Sequence, residues 1–115
     1  MENVLLTGRI ACTGKVKGKV RIINDEPGDE LMMKALLKVN KGDILVTQMT
    51  RPLFVVAMHK ASAIITDRGG MLCHAAMVAR EFKIPCIVGT ENATRILKDG
   101  QEVLVDANRG IVYGT

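Results

Sequence analysis

The stretch SAIITDRGGMLCHAAMVAREFKIPCIVGT, residues 62–90, decides the fold of this chain. Its first five residues form an apolar run with the length of a buried strand, and CIVGT at 86–90 forms a second one. Between them, Ala75, Val78, Ala79 and Phe82 recur at the spacing of one helix face, which we expect to pack on a sheet. A strand, a glycine loop, a helix and a strand in this order predict an α/β domain.

The rest of the chain continues this alternation of short strands and helices. Met32, Ala35, Leu36 and Val39 share one face of a predicted amphipathic helix. We therefore predict a single domain over residues 1–115, with a central sheet, helices covering both of its faces and a C-terminal β-hairpin. The other predicted elements are a strand at Lys19–Ile23 after a Gly-Lys turn, a strand at 43–48, helical turns at 52–60 and 92–97, and two closing strands.

Composition excludes several classes of function. Aromatic residues make up 3% of the chain, which argues against a nucleic-acid module that stacks bases. The net charge of +4 is only mildly basic, and the small group of lysines between residues 15 and 19 fits a solvated strand face. No apolar run is long enough to cross a membrane. Three cysteines without a CxxC spacing indicate a reducing, cytoplasmic setting.

His74 is one of two histidines, and it stands where the predicted helix begins. The N–H groups of a first helical turn are unpaired and attract anions. The positive end of the helix also disfavours a charged imidazolium, which keeps the ring nucleophilic at neutral pH. Gly69 and Gly70 remove side-chain bulk, so that a phosphate can approach the backbone. This pattern points to His74 as a nucleophile that carries a phosphoryl group.

Other interpretations of the same residues remain open at this point. A histidine at a helix start is often only a cap or a partly exposed polar residue, and a glycine pair is often only a turn. A P-loop motif is absent, and Cys73 with His74 is too small a set for a metal site. A Cys73–His74 hydrolase is conceivable, although the side chains of neighbours at a helix start should diverge. His59 is expected on a surface helix.

The longer string KASAIITDRGGMLCHAAMVAREFKIPCIVGT, residues 60–90, resembles the phosphohistidine motif of the mobile domain of PEP-utilizing enzymes. This family includes phosphoenolpyruvate synthase, pyruvate, phosphate dikinase, enzyme I of the sugar phosphotransferase system and rifampicin phosphotransferase. The cysteine before the histidine is most similar to the phosphoenolpyruvate synthase branch. Weaker similarity extends over nearly the whole chain, with Cys12-Thr13 where the family usually has Ser-Pro. The matching positions of the motif are Thr66, Gly69, Gly70, Cys73, His74, Ala75, Ala76, Ala79, Arg80, Glu81, Ile84, Pro85, Ile87, Val88, Gly89 and Thr90.

The resemblance implies a swivelling β/β/α domain and a role for each motif residue. His74 is expected to accept a phosphoryl group from ATP, or from phosphoenolpyruvate in reverse, and to carry it between two active sites. Thr66, Gly69, Gly70 and Cys73 correspond to the loop that holds the histidine and its phosphate. The domain itself is expected to bind no cofactor or metal, because ATP and Mg²⁺ belong to a partner.

The motif helix and the loop before it carry further expectations. Arg80 and Glu81 match positions of the helix, where they dock the domain or have a structural role. Many members have Arg and Thr at the positions of Met71 and Leu72. The missing arginine removes one phosphate partner, the missing hydroxyl removes an orienting or regulatory group, and the apolar pair is a candidate contact with a partner domain.

The implied partners are an ATP-grasp nucleotide-binding protein or domain and a PEP/pyruvate-type barrel protein or domain. A chain of 115 residues has room for neither, so alone it is not a complete phosphotransferase. The initial Met and complete-looking ends favour a free-standing protein that acts in trans over a fragment of a longer one. Two other hypotheses stay open: a non-catalytic regulatory or docking module with the same fold, and a small-molecule enzyme that uses Cys73 as its nucleophile.

Overall fold

The computed structural model describes residues 3–115 and contains an eight-stranded mixed sheet in the order β1-β8-β7-β3-β4-β5-β6-β2. The strands are β1 (Asn3–Thr7), β2 (Arg9–Cys12), β3 (Lys15–Ile22), β4 (Ile44–Thr47), β5 (Ala63–Thr66), β6 (Cys86–Val88), β7 (Glu102–Asp106) and β8 (Ile111–Gly114). The helices are α1 (Asp29–Leu36), α2 (Val55–Met58), which directly follows a 3₁₀ turn at Pro52–Phe54, α3 (His74–Phe82) and α4 (Ala93–Ile96).

The four central strands, β3 to β6, run parallel, and β2 and β7 flank them antiparallel. Parallel neighbours need crossover connections, and the helical segments between the strands supply them. All residues of β4 and β5 are buried, as expected for strands that are covered on both faces. The carboxyl ends of β4 and β5 therefore meet at one edge of the sheet, next to the start of α3.

Two hydrophobic cores lie on opposite faces of the sheet. Leu45 and Ile64 point into the core beneath α1, α2 and α3, whereas Ile44, Val46 and Ile65 point into the core shared with β7, β8 and α4. Successive residues of a strand face opposite sides, so two short apolar strands supply both cores. Because β4 and β5 are packed on both faces, the positions of the loops that follow them are fixed as well.

The α/β class, the covering helices and the C-terminal β7–β8 hairpin are confirmed. The prediction for the opening segment was wrong in detail, because Gly18 lies inside β3 rather than in a turn and pairs with Val103. Val39 is buried but follows the end of α1, and Phe82 is 40% exposed because α3 ends there. The buried face of α3 also includes Ala76, which the sequence analysis did not assign to it. Over residues 3–115, the helices are all too short or too polar to cross a bilayer.

Candidate functional site

A cleft of about 240 Å³ opens where β4 and β5 end and α3 begins. Ligands of open α/β sheets gather at this edge, because the loops after the strands diverge there. The cleft brings together four of the seven site residues that the resemblance implied, whereas Gly70, Arg80 and Glu81 do not line it. Its lining consists of Met49, Thr50, Thr66, Arg68, Gly69, Cys73, His74 and Ala75.

His74 is the first residue of α3, and its imidazole is held by a hydrogen bond. Nδ1 of His74 lies 2.7 Å from Oγ1 of Thr50, which follows β4 and is 6% exposed. A hydroxyl either donates or accepts, so this contact fits both neutral tautomers of the ring. When Nδ1 donates its proton to Thr50, Nε2 carries the free lone pair. Within residues 3–115, Nε2 has no recorded hydrogen bond, so it is available to a reactant.

Partial burial of the imidazole lowers the pKa of His74 below its ordinary value of 6.5. The cause is loss of hydration, which disfavours the charged form. The sequence also predicts a neutral ring, for the separate reason that the positive end of a helix disfavours the charged imidazolium. A ring that is neutral at pH 7 has a lone pair for nucleophilic attack, so the environment matches the chemistry that the motif implies.

The loop between β5 and α3 has a shape that only glycine permits at Gly69. Its φ is +111°, and an added Cβ would lie 2.8 Å from Sγ of Cys73. Gly89 approaches from the next loop, where an added Cβ would lie 3.0 Å from the carbonyl oxygen of Gly69. The buried hydroxyl of Thr66 donates to the carbonyl of Arg68 at 2.6 Å and closes the turn. Thr66, Gly69 and Cys73 thus shape the loop.

Gly70 and Cys73 lead the chain into the helix. The carbonyl of Gly70 accepts a hydrogen bond from the N–H of Cys73 at 3.1 Å. Cys73 is the N-cap residue but makes no capping hydrogen bond with its side chain, so the first-turn N–H groups of α3 lack a cap. Cys73 and His74 line the same cleft, and the imidazole bonds to Thr50 rather than to the thiol.

Arg80 and Glu81 have different surroundings. Nε of Arg80 donates to the carbonyl of Ala11 at 2.9 Å, and Nη2 donates to the carbonyl of Met71 at 2.6 Å. One guanidinium therefore joins α3, β2 and the loop before His74. Glu81 is exposed on α3 and makes no ion pair with the residues from 3 to 115. Neither residue lines the cleft.

Thr50 is the residue of the candidate site that sequence reasoning missed. It lies 24 positions before His74, outside the motif helix and loop. Arg51 holds its segment in place by ion pairs with Asp25 at 3.5 Å and Asp29 at 3.6 Å, and by stacking on Phe54. A threonine directly after a predicted buried strand was the available signal.

Two exposed apolar side chains form what we call the apolar rim: Met49 lines the cleft, and Leu72 lies in the loop that leads into α3. Leu72 is 85% exposed and Met49 is 54% exposed, whereas Met71 is half-buried. None of the cleft-lining side chains seen in residues 3–115 is a carboxylate, since Asp67 turns away and accepts hydrogen bonds from Thr94. The same residues contain no cluster of histidine, cysteine or acidic side chains that could hold a metal ion.

A second cleft, of about 660 Å³, lies at the opposite edge of the sheet, before β4 and β5 begin. His59 borders it, exposed and directly after α2. Nδ1 of His59 donates to the carbonyl of Val55 at 2.9 Å, so the ring ties down its own helical turn. The structure thus separates the two histidines by the length of the parallel strands.

Comparison with known proteins agrees with this geometry. Residues 39–110 match the family described as PEP-utilising enzyme, mobile domain. The chain belongs to this family. It is 52% identical over 110 residues to a probable phosphoenolpyruvate synthase of Archaeoglobus fulgidus, covering 96% of this chain and 14% of the relative. It is 49% identical over 110 residues to the phosphoenolpyruvate synthase of Pyrococcus furiosus, covering 96% and 13%.

Solved structures extend the comparison to the fold of the mobile domain. An NMR structure of an Enzyme I protein has a TM-score of 0.58 at 30% identity, over 67% of this chain and 32% of that one. Aconitase X of Thermococcus kodakaraensis has a TM-score of 0.67 at 22% identity, over 94% and 95%, and shows similarity of fold alone. The chain spans about one seventh of the length of the curated relatives, which are larger proteins with further parts.

Proposed function

We propose that this mobile domain is a phosphohistidine carrier that accepts a phosphoryl group on Nε2 of His74. The observation that carries the proposal is the 2.7 Å contact between Nδ1 and Thr50, which leaves Nε2 free in a cleft at the start of α3. Lowered pKa, uncapped amides and the narrow glycine loop support the same role. Phosphoryl transfer depends mainly on positioning and charge stabilisation, and this arrangement offers both.

The donor and acceptor sites belong to partner domains or proteins in this proposal. The relatives named phosphoenolpyruvate synthase are about seven times longer than this chain, so they have room for such parts. An ATP-grasp unit would hold ATP and Mg²⁺, and a barrel unit would hold the acceptor or phosphoenolpyruvate. The domain itself would hold no nucleotide or metal, and His74 would travel between the two sites.

The test supplies phosphoenolpyruvate synthase of Archaeoglobus fulgidus whose own motif histidine is replaced by alanine, together with this chain. With ATP and Mg²⁺, or with phosphoenolpyruvate, we expect one acid-labile, base-stable phosphoryl group on His74 by mass spectrometry. His74→Ala should carry none, and His59→Ala should label as wild type does. Absence of label on wild type, or equal label on His74→Ala, would refute the carrier.

A docking module without turnover is the second candidate, and the apolar rim of Met49 and Leu72 favours it. Such a rim offers a contact surface whether or not the histidine reacts. This candidate predicts that binding to the synthase persists in His74→Ala and that wild type never acquires label. A pull-down and the mass analysis above therefore separate the two candidates in one experiment.

A further inference from the structure

The cleft around His74 contains few positive charges that could stabilise a phosphoryl group. A phosphoryl group on histidine brings nearly two negative charges, yet the lining side chains are mostly apolar or neutral. Met71, in the loop before His74, brings no charge, and its carbonyl is bound by Arg80. An anion in this cleft therefore needs a cation from elsewhere in the chain.

Two guanidinium groups stand at the loop with no carboxylate partner among residues 3–115. Arg68 is exposed and lines the cleft beside His74. Arg9, on β2, is exposed and places Nη1 4.0 Å from where a Cβ on Gly70 would lie. Neither takes part in an ion pair there, and neither side chain makes a recorded hydrogen bond.

Two charged residues next to these arginines are already engaged elsewhere. Arg51 follows Thr50 but pairs with Asp25 and Asp29. Asp67 directly precedes Arg68, yet its Oδ1 accepts from the N–H of Thr94 at 2.9 Å, and Oδ2 accepts from the Thr94 hydroxyl. The two arginines are thus the cations available to a ligand at this loop.

We propose that Arg68 and Arg9 together form the phosphate-binding pair of this domain. Guanidinium groups suit this task because their planar donors match phosphate oxygens. The glycines of the loop add no side-chain bulk beside the two arginines. This inference rests on the proposed function in taking His74 as the phosphoryl acceptor.

The test uses phosphoramidate, a small anionic donor that needs no partner protein. The Nε2 lone pair forms the new N–P bond, the P–N bond of phosphoramidate breaks, ammonia leaves, and Nδ1 keeps its proton. His59 lies at the opposite edge of the sheet and serves as the internal reference. We measure the labelling rate of both histidines by mass spectrometry, and the pKa of each phosphoryl group by ³¹P NMR.

We expect Arg68→Gln and Arg9→Gln each to slow labelling of His74 about threefold, because two unit charges about 6 Å apart in water interact by about half a pKa unit. The pKa of the phosphoryl group on His74 should rise by a similar amount, and His59 should not change. Arg68→Lys should restore part of the rate. Lys41→Gln removes an exposed charge beside the other cleft and should leave His74 unaffected.

Equal rates for wild type and the double variant Arg9→Gln/Arg68→Gln would overturn the pair. Labelling of His59 but never of His74 would overturn it too, because two cations at the loop beside His74 should make it the faster of the two histidines to react with an anionic donor. These outcomes are separate from failure of the carrier. Arginine-dependent labelling by phosphoramidate without transfer from any synthase would support the anion site and refute the proposed function.

Discussion

Replacing Thr50 by valine tests the arrangement of His74 most directly. Valine keeps the shape of the side chain in a position that is 6% exposed, but removes the oxygen that lies 2.7 Å from Nδ1. One hydrogen bond contributes about 1 kcal/mol net, and 1.36 kcal/mol corresponds to a tenfold rate change, so losing it should slow phosphoryl acceptance about fivefold. Ring orientation should become less uniform at the same time.

The assay has two readouts and a matched control. Label on His74 is followed over time with the synthase and ATP, and ¹⁵N NMR reports which ring nitrogen of His74 holds the proton. We expect the Nδ1–H tautomer in wild type, a smaller share of it in Thr50→Val, and near wild-type behaviour in Thr50→Ser. An unchanged rate and an unchanged tautomer in Thr50→Val would show that the contact does not position the ring.

Three further outcomes follow from the same geometry. Gly69→Ala should lower the free energy of unfolding by about 2 kcal/mol in urea, because alanine resists a φ of +111° and its Cβ would meet Cys73. Gly70→Ala should cost clearly less, because its Cβ would make only an ordinary contact with Arg9 at 4.0 Å. Equal costs would contradict this. Leu72→Asp should slow phosphoryl transfer from the synthase while changing the free energy of unfolding by less than about 0.5 kcal/mol, since this side chain is 85% exposed. Leu37→Asp, at the other edge of the sheet, is the control. Equal slowing by both variants would argue against docking at the apolar rim. The labelling rate of His74 should stay constant as the pH falls from neutral, until the pH passes through the lowered pKa of the imidazole. The acid side of the pH–rate curve should therefore have its midpoint below pH 6.5. A midpoint above 6.5 would contradict the burial argument.

The same lowered pKa contributes to stability with a definite sign. The folded state holds a proton on His74 less tightly than the unfolded chain does, so the contribution is fully present above 6.5 and decreases as the pH falls below that value. His74→Ala should remove this part of the acid dependence. The prediction concerns folding alone, so it holds whether or not a phosphoryl group is ever transferred.

Sequence reasoning reached the part of the site that is local along the chain. Residues 66 to 74 run without interruption from strand to helix, so spacing alone places Gly69 and His74 in one loop. Thr50 and Arg9 are different, because β4 and β2 bring them to the loop from 24 and 65 positions before His74. Such pairings depend on strand order, and short apolar strands do not encode which neighbour each will choose.

The opening segment shows the same limit in the fold itself. β1 pairs with β8 and β2 pairs with β6, at opposite ends of the eight-stranded sheet, although only Gly8 separates them in sequence. An added Cβ at Gly8 would lie 2.6 Å from Ile87. The glycine is thus required by a contact with β6, which no local pattern reveals.

A carrier of the kind proposed for this domain must present one reactive atom to two different sites, and the architecture has separate parts that would serve this purpose. The reactive edge consists of loops that β4, β5 and α3 hold firmly: Thr50 fixes the ring, and Arg80 ties the loop to β2. The rim that a partner would touch first, at Leu72 and Met49, is exposed and contributes little to the core. Changes in partner can therefore be accommodated at the rim, while the geometry around His74 stays fixed by the sheet.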